Sequence, residues 1–154
     1  MSESIFLNKE SLLATKDTLA IEKVELLNSD GEVRGYIFVR EMTAKEKSTY
    51  ETSLTKRIPS IGQGKNKKQE EIVANIEDAR AKLAICTICD EKGVRQFEMN
   101  PQTIKTLSEN LSASNMERIA DVAGRLNKMT PEEQEELTKN LETDLNDSSI
   151  SDSV

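Results

Sequence analysis

The sequence predicts an α+β fold: a mainly helical domain with an N-terminal β-hairpin, a flexible basic loop and a disordered acidic C-terminal tail. Three observations predict it. Two β-rich runs flank Asn28-Ser29-Asp30-Gly31, and Asp-Gly supplies the positive-φ chemistry of a hairpin turn. Helix-start signatures recur downstream, at Thr43 with Glu46, at Asn100-Pro101 and at Thr130-Pro131. Apolar residues make up 36% of the chain and aromatics only 3%, a lean Leu/Ile/Val core that suits packed helices better than a β-sandwich.

Residues 1–19 carry Ile5, Phe6, Leu7, Leu12 and Leu13, a pattern that fits one brief helix. The hairpin follows, over about Ile21–Leu27 and Val33–Glu41. Val24 and Leu26 alternate with Lys23 and Glu25, which leaves one face of the first strand wet. Thr43 then caps a helix, and Glu46 three residues later completes a capping box. Its apolar face is thin, Ala44, Tyr50 and Leu54, so it is expected at the edge of the domain.

Residues 56–69, KRIPSIGQGKNKKQ, read as a linker with five bases (Lys56, Arg57, Lys65, Lys67 and Lys68) and no acid. Such a stretch buries too little to order itself. From Glu70 a second helix is expected, with Ile72, Ile76, Ala79, Leu83 and Cys86 forming one stripe. Ile85–Cys89 reads equally as the end of that helix or as a short strand paired with Val94–Phe97 across Asp90–Gly93. Gly93 marks a sharp reversal in either case.

Asn100 as N-cap and Pro101 at the first helical position open a further helix. The next one carries Met116, Ile119, Ala120, Val122, Ala123 and Leu126 on a broad face. Thr130, Pro131 and Glu133 open a last, acidic helix, and residues 142–154 are polar enough to predict disorder. The chain therefore divides into a segment 1–19, a single domain 20–141 and a tail 142–154.

The 154-residue chain has a net charge of −7, and residues 130–154 hold eight acids against Lys139 alone. The body is thus neutral and the end acidic, a poor general surface for phosphate contact. No run approaches the length of a membrane helix, and MSESIFLNKESLL lacks the basic start of a signal peptide. A cytoplasmic protein without a disulfide framework is expected. A core this lean stands to gain from self-association.

Cys86 and Cys89 form the one C-x-x-C, and the chain has no His. A zinc site needs about four converging ligands, and a redox pair needs its first thiol at a helix N-terminus. Here the cysteines end an apolar run, so they read as buried packing. Without His, the usual Ser-His and Cys-His arrangements are also excluded. The acidic pairs Glu70/Glu71, Glu77/Asp78 and Glu132/Glu133 lie on polar faces or in first turns, where solvation explains them. No catalytic residue, metal site or cofactor is expected.

The order of the pieces is more specific than any one of them. Val39-Arg40-Glu41-Met42-Thr43 ends the hairpin, and a basic loop separates two helices. Arg80 to Phe97 reads R-A-x-L-x-x-x-x-x-x-D-E-x-G-x-x-x-F; then come Arg125-Leu126-Asn127-Lys128-Met129-Thr130 and Lys139-Asn140-Leu141. Over residues 20–141 this resembles the tail assembly chaperones of tailed bacteriophages and prophages, small proteins encoded beside the tape measure gene. The resemblance implies a non-catalytic protein that binds the long helical tape measure protein in the host cytoplasm, keeps it soluble, and is absent from the mature virion. Many members also exist as a longer form made by translational frameshifting.

A client of that kind exposes apolar stripes, and a helical apolar surface would cover them. Ile119, Val122, Leu126 and Met129 are the first candidates for the contact, with Met99, Met116 and Met129 able to adapt to varied target stretches. The competing reading is a nucleic-acid or regulatory module using the basic loop 56–68, against which stands the lack of aromatic interleaving. A redox enzyme built on Cys86 and Cys89 ranks last.

Overall fold

The computed structural model describes residues 4–59 and 70–129. The rest of the basic loop (60–69), the acidic helix expected from Thr130, the Lys139-Asn140-Leu141 phrase and the tail 142–154 lie outside the described residues.

The α+β class is observed. The elements are α1 (Lys9–Ala14), β1 (Ile21–Leu27), β2 (Val33–Arg40), α2 (Ala44–Ser53), β3 (Thr55–Pro59), β4 (Glu70–Ala74), α3 (Ala79–Thr87), β5 (Ile88–Cys89), α4 (Pro101–Asn110) and α5 (Ala113–Leu126). β1 and β2 form the predicted antiparallel hairpin, with Val24 opposite Ile37 and Glu22 opposite Val39. Gly31 turns it at φ +88°, a value that favours glycine. β5 adds to the far side of β2 through only two pairs, Phe38 with Cys89 and Val39 with Ile88.

α3 is the centre of the fold. Ala79, Ala81, Leu83, Ala84, Ile85 and Cys86 are all buried, and so are Lys82, which donates to Ser53 C=O, and Thr87, which donates to Leu83 C=O, so this helix is covered nearly all round. α5 packs against it and against the hairpin, and Met116, Ile119 and Ala123 share one buried core with Val24 and Val39. α2 and α4 flank α3 on its other sides. α2 carries the predicted capping box, Thr43 Oγ1 accepting from Glu46 N–H and the Glu46 carboxylate accepting from Thr43 N–H. It buries Tyr50 and little else. Asn100 and Ser112 cap α4 and α5 through their side chains.

Two expectations are corrected. Thr55–Pro59 is a strand, not the start of a linker, and it pairs antiparallel with Glu70–Ala74, which is a strand rather than a helix. Ile72 therefore leaves the proposed stripe and stands 66% exposed. The physical reason is local: β-branched Ile72 and Val73 favour the extended chain once a partner strand is available. Asn75 then turns the chain, its Oδ1 accepting from Glu77 N–H, and Asp78 takes a left-handed conformation at φ 56°. Asp tolerates that region better than most residues, and the helix starts only after it. Between the two readings of Ile85–Cys89 both hold in part: α3 runs to Thr87, and Ile88–Cys89 is strand, with Cys89 also bridged to Arg95.

Asn115 and Asn127 lock α5 to the hairpin. Asn115, 2% exposed, accepts from Leu27 N–H at 2.9 Å and donates to Leu27 C=O at 2.9 Å, as a strand neighbour would. Asn127 accepts from Met42 N–H at 2.6 Å and donates to Ala123 C=O at 2.8 Å. Each satisfies backbone groups that would otherwise be stranded at the edge of the core.

Candidate functional site: an apolar groove beside an open strand edge

β5 is short, and that shapes the surface. It covers only Phe38 and Val39, so the edge of β2 from Val33 to Ile37 has no strand neighbour on that side among the described residues. Where β5 stops, a groove of about 650 Å³ opens between the sheet and α4. Its walls include Leu26, Tyr36 and Phe38 from the hairpin, Phe97 from the loop before α4, and Leu107 and Leu111 from and just after α4. Ile88, Cys89 and Ile119 form its floor.

The aromatic content makes the groove distinctive. The chain has five aromatic residues, and Tyr36, Phe38 and Phe97 line this one feature. Tyr36 meets Phe38 edge-on, with ring centroids 5.7 Å apart, a geometry favoured by the ring quadrupoles. Lys23 Nζ lies 4.3 Å from the Tyr36 ring centroid, a cation–π contact that keeps the charge at the water side. Tyr36 is 58% exposed, a large apolar surface facing solvent.

The rim is a fixed turn. Asp90 Oδ1 accepts from Lys92 N–H at 2.8 Å and from Val94 N–H at 2.9 Å. These bonds, Val94's first, hold the Asp90 carboxyl below its ordinary range. Gly93 closes the turn at φ +86° with its Cα against Ile21; a Cβ there would sit 3.1 Å from Ile21 Cδ1.

Beneath lies a buried ionic cluster. Arg40 binds Glu46 through two nitrogens, at 2.9 and 2.7 Å, and Arg95 Nη1 reaches the same carboxylate at 3.3 Å. Burial alone would raise the Glu46 pKa; the hydrogen bonds from Arg40 and Thr43 and the charges of both arginines outweigh it and leave it lowered. Arg95 also donates to Ile85 C=O and Phe97 C=O. The cluster thus ties the hairpin, α2 and the segment 95–97, whose Gln96 and Phe97 line the groove, together.

Cys86 and Cys89 are buried and not bonded to each other. Burial pushes the Cys86 thiol up, against the charge of Arg95 and with that of Glu46. Burial pushes Cys89 up as well, Arg40 opposing and Asp90 adding. Protonated thiols packed in the core are weak nucleophiles. Among the described residues no three His, Cys, Asp or Glu side chains gather as a metal site, and no helix is long and apolar enough to cross a membrane.

The four residues predicted for partner contact separate. Ile119 is fully buried; it belongs to the groove only as floor, and its place on the exposed face is corrected by the packing of α5 on the sheet. Val122, Leu126 and Met129 are half-buried against the core away from the groove lining. Met116 is core and Met99 packs against it. Tyr36, Phe38, Leu107 and Leu111, which sequence reasoning did not single out, form the walls instead. The one available signal was the concentration of scarce aromatics around the hairpin and Phe97. Lys56 and Arg57 of the basic stretch fall within β3. Compared with protein-family models, curated proteins and solved structures, the chain finds no match.

Proposed function

We propose that the protein is a phage tail assembly chaperone that binds the helical tape measure protein and holds it in solution, acting by surface contact and without catalysis. The observation that carries the reading is the groove: an apolar, aromatic-walled surface that the described residues leave open, of the kind that takes the apolar stripe of another polypeptide. The phrases behind the resemblance add support, because they meet in space. Met42 of the Arg40–Thr43 phrase donates its N–H to Asn127 of the Arg125–Thr130 phrase, and Arg95 of the Arg80–Phe97 phrase joins Arg40 on Glu46. Residues far apart in sequence are thus constrained together.

Tyr36 and Phe38 would form the contact wall, with Leu107 and Leu111 opposite and the Asp90–Lys92 rim orienting the polar side of the client. The test is co-expression of a tape measure fragment with the wild-type chain and with Tyr36→Asp, an exposed position whose substitution leaves the core intact. The wild type should raise the soluble fraction of the fragment several-fold and the variant should not. A fragment equally soluble without the chain ends the reading.

A further inference from the structure

The hydrogen-bond phase of the hairpin fixes which backbone groups face the groove. Along a strand, successive residues turn their N–H and C=O to opposite edges. Glu41 donates its N–H to Ala20 C=O, so Ala20 faces β2. Alternation then turns Glu22, Val24 and Leu26 toward β2, and Lys23 and Glu25 away from it. The phase agrees with two further contacts: Glu25 C=O accepts from Arg118 Nε, and both backbone groups of Leu27 are bonded to Asn115. On β2, the opposite residues Val39, Ile37 and Gly35 therefore face β1, while Phe38, Tyr36 and Arg34 face the other edge. β5 meets that edge at Phe38, opposite Cys89. It then turns off, Asp90 N–H going to Val94 C=O. Tyr36 and Arg34 are left with an N–H and a C=O each that have no strand partner on that edge among the described residues.

The groove lies along these groups. Tyr36, Ile37 and Phe38 all line it, although successive side chains of a strand point to opposite faces. It therefore borders the edge of β2 rather than one face of the sheet. Cys89 and Asp90 line it too, which puts it where β5 would have continued. Leu26 reaches it from β1, opposite Gly35, and a Cβ on Gly35 would meet nothing within 4 Å. Gly35 has no positive φ to accommodate. A glycine inside a strand with neither strain nor crowding to explain it fits the close approach of another chain.

We propose that the groove takes its client as an extended segment, which pairs with Arg34 and Tyr36 as an added strand in line with β5. This rests on the chaperone reading and names the form in which the client is held. The strand's alternation sets the sequence it accepts: large apolar side chains on the face of Ile37 and the bare Gly35, and polar ones on the face of Tyr36 and Lys23. A helix laid in the same place has already used its own backbone groups. It would cover those of Arg34 and Tyr36 without bonding them, a cost that an added strand turns into hydrogen bonds.

The test uses the full-length protein and the tape measure fragment of the co-expression assay. With the fragment bound, amide hydrogen exchange at Arg34 and Tyr36 should slow by about tenfold or more, while Gly35 and Ile37, whose N–H groups already face β1, change little. The infrared amide band of a carbon-13-labelled fragment should report extended chain. Arg34→Pro removes an N–H that faces outward, so the pairing of β1 with β2 survives it. It should bind the fragment about two- to tenfold more weakly than Arg34→Ala, which removes the same side chain and keeps the donor. A fragment that binds as a helix, or without protecting Arg34 and Tyr36, overturns the proposal and leaves the chaperone reading intact. Equal affinity of the two Arg34 variants also overturns it. Protection already present in the chain alone and rising with its concentration would give the edge to a second copy, against the proposal. A fragment that neither binds nor gains solubility ends both readings.

Discussion

Replacing Glu46 by Gln is the sharpest probe of what holds the groove in shape. The substitution keeps size and the acceptor oxygen that caps Thr43, and removes only the charge. In the native cluster the Arg40 and Glu46 side chains are 8% and 12% exposed, and the carboxylate receives two bonds from Arg40 and one from Arg95. With Gln, two guanidinium groups face each other with no counter-charge, and an amide N–H₂ points at one of them. Removing one partner of a buried pair costs about 3–5 kcal/mol, a large share of the about 5–15 kcal/mol that a domain of this size has. At a urea slope of about 1.5–2 kcal/mol per molar, the midpoint should fall by about 1.5–3 M. The control is Glu22→Gln at the Arg125–Glu22 pair, whose side chains are 61% and 39% exposed. There water screens the charges, and the loss should be about 0–1 kcal/mol. Equal small losses at both sites, under about 1 kcal/mol, would refute the view that the cluster pins the hairpin, α2 and the segment 95–97.

Acid should act through the same group. The folded Glu46 pKa lies below its ordinary value of 4.5, so its contribution is complete above about that value and is lost as the pH falls through the lowered one; wild-type urea midpoints should drop below pH 4.5 more steeply than those of Glu46→Gln. Asn115→Ala strands the N–H and C=O of Leu27 and should cost about 1–3 kcal/mol in thermal or urea unfolding. Gly93→Ala combines the strain of φ +86° with the 3.1 Å approach to Ile21, and should cost about 1–3 kcal/mol, with altered NMR shifts at Ile21 and the Asp90–Lys92 rim. Cys86 and Cys89 should react with a thiol reagent only after denaturant is added, with rates in native buffer at least tenfold lower; fast native labelling would contradict their burial.

The parts readable in the sequence are those whose cause is local. Asp30-Gly31 turns the hairpin because only glycine takes φ +88° without strain. The Thr43–Glu46 box and the Asn100-Pro101 start work within one helical turn. The cysteines were legible as core because they end an apolar run. The misreading of Glu70–Ala74 has the opposite origin. Ile72, Ile76 and Ala79 happen to fall at helical spacing, but the strand is made by its partner, Thr55–Pro59, earlier in the chain. A single segment does not carry that information.

The groove and the surface expected on α5 differ for the same reason. The apolar face of α5 was correctly recognised as apolar, and the sequence by itself determined that it had to be covered by something. Whether the cover is the protein's own sheet or a partner was decided by tertiary packing, which put Ile119 and Ala123 in one buried core with Val24 and Val39. The groove draws its walls from residues 26 to 111, and exists because β5 stops after two pairs. Propensity, turns and caps act over three or four residues; the length of a strand pairing and the face a helix buries are set by contacts that the chain makes only once it has folded.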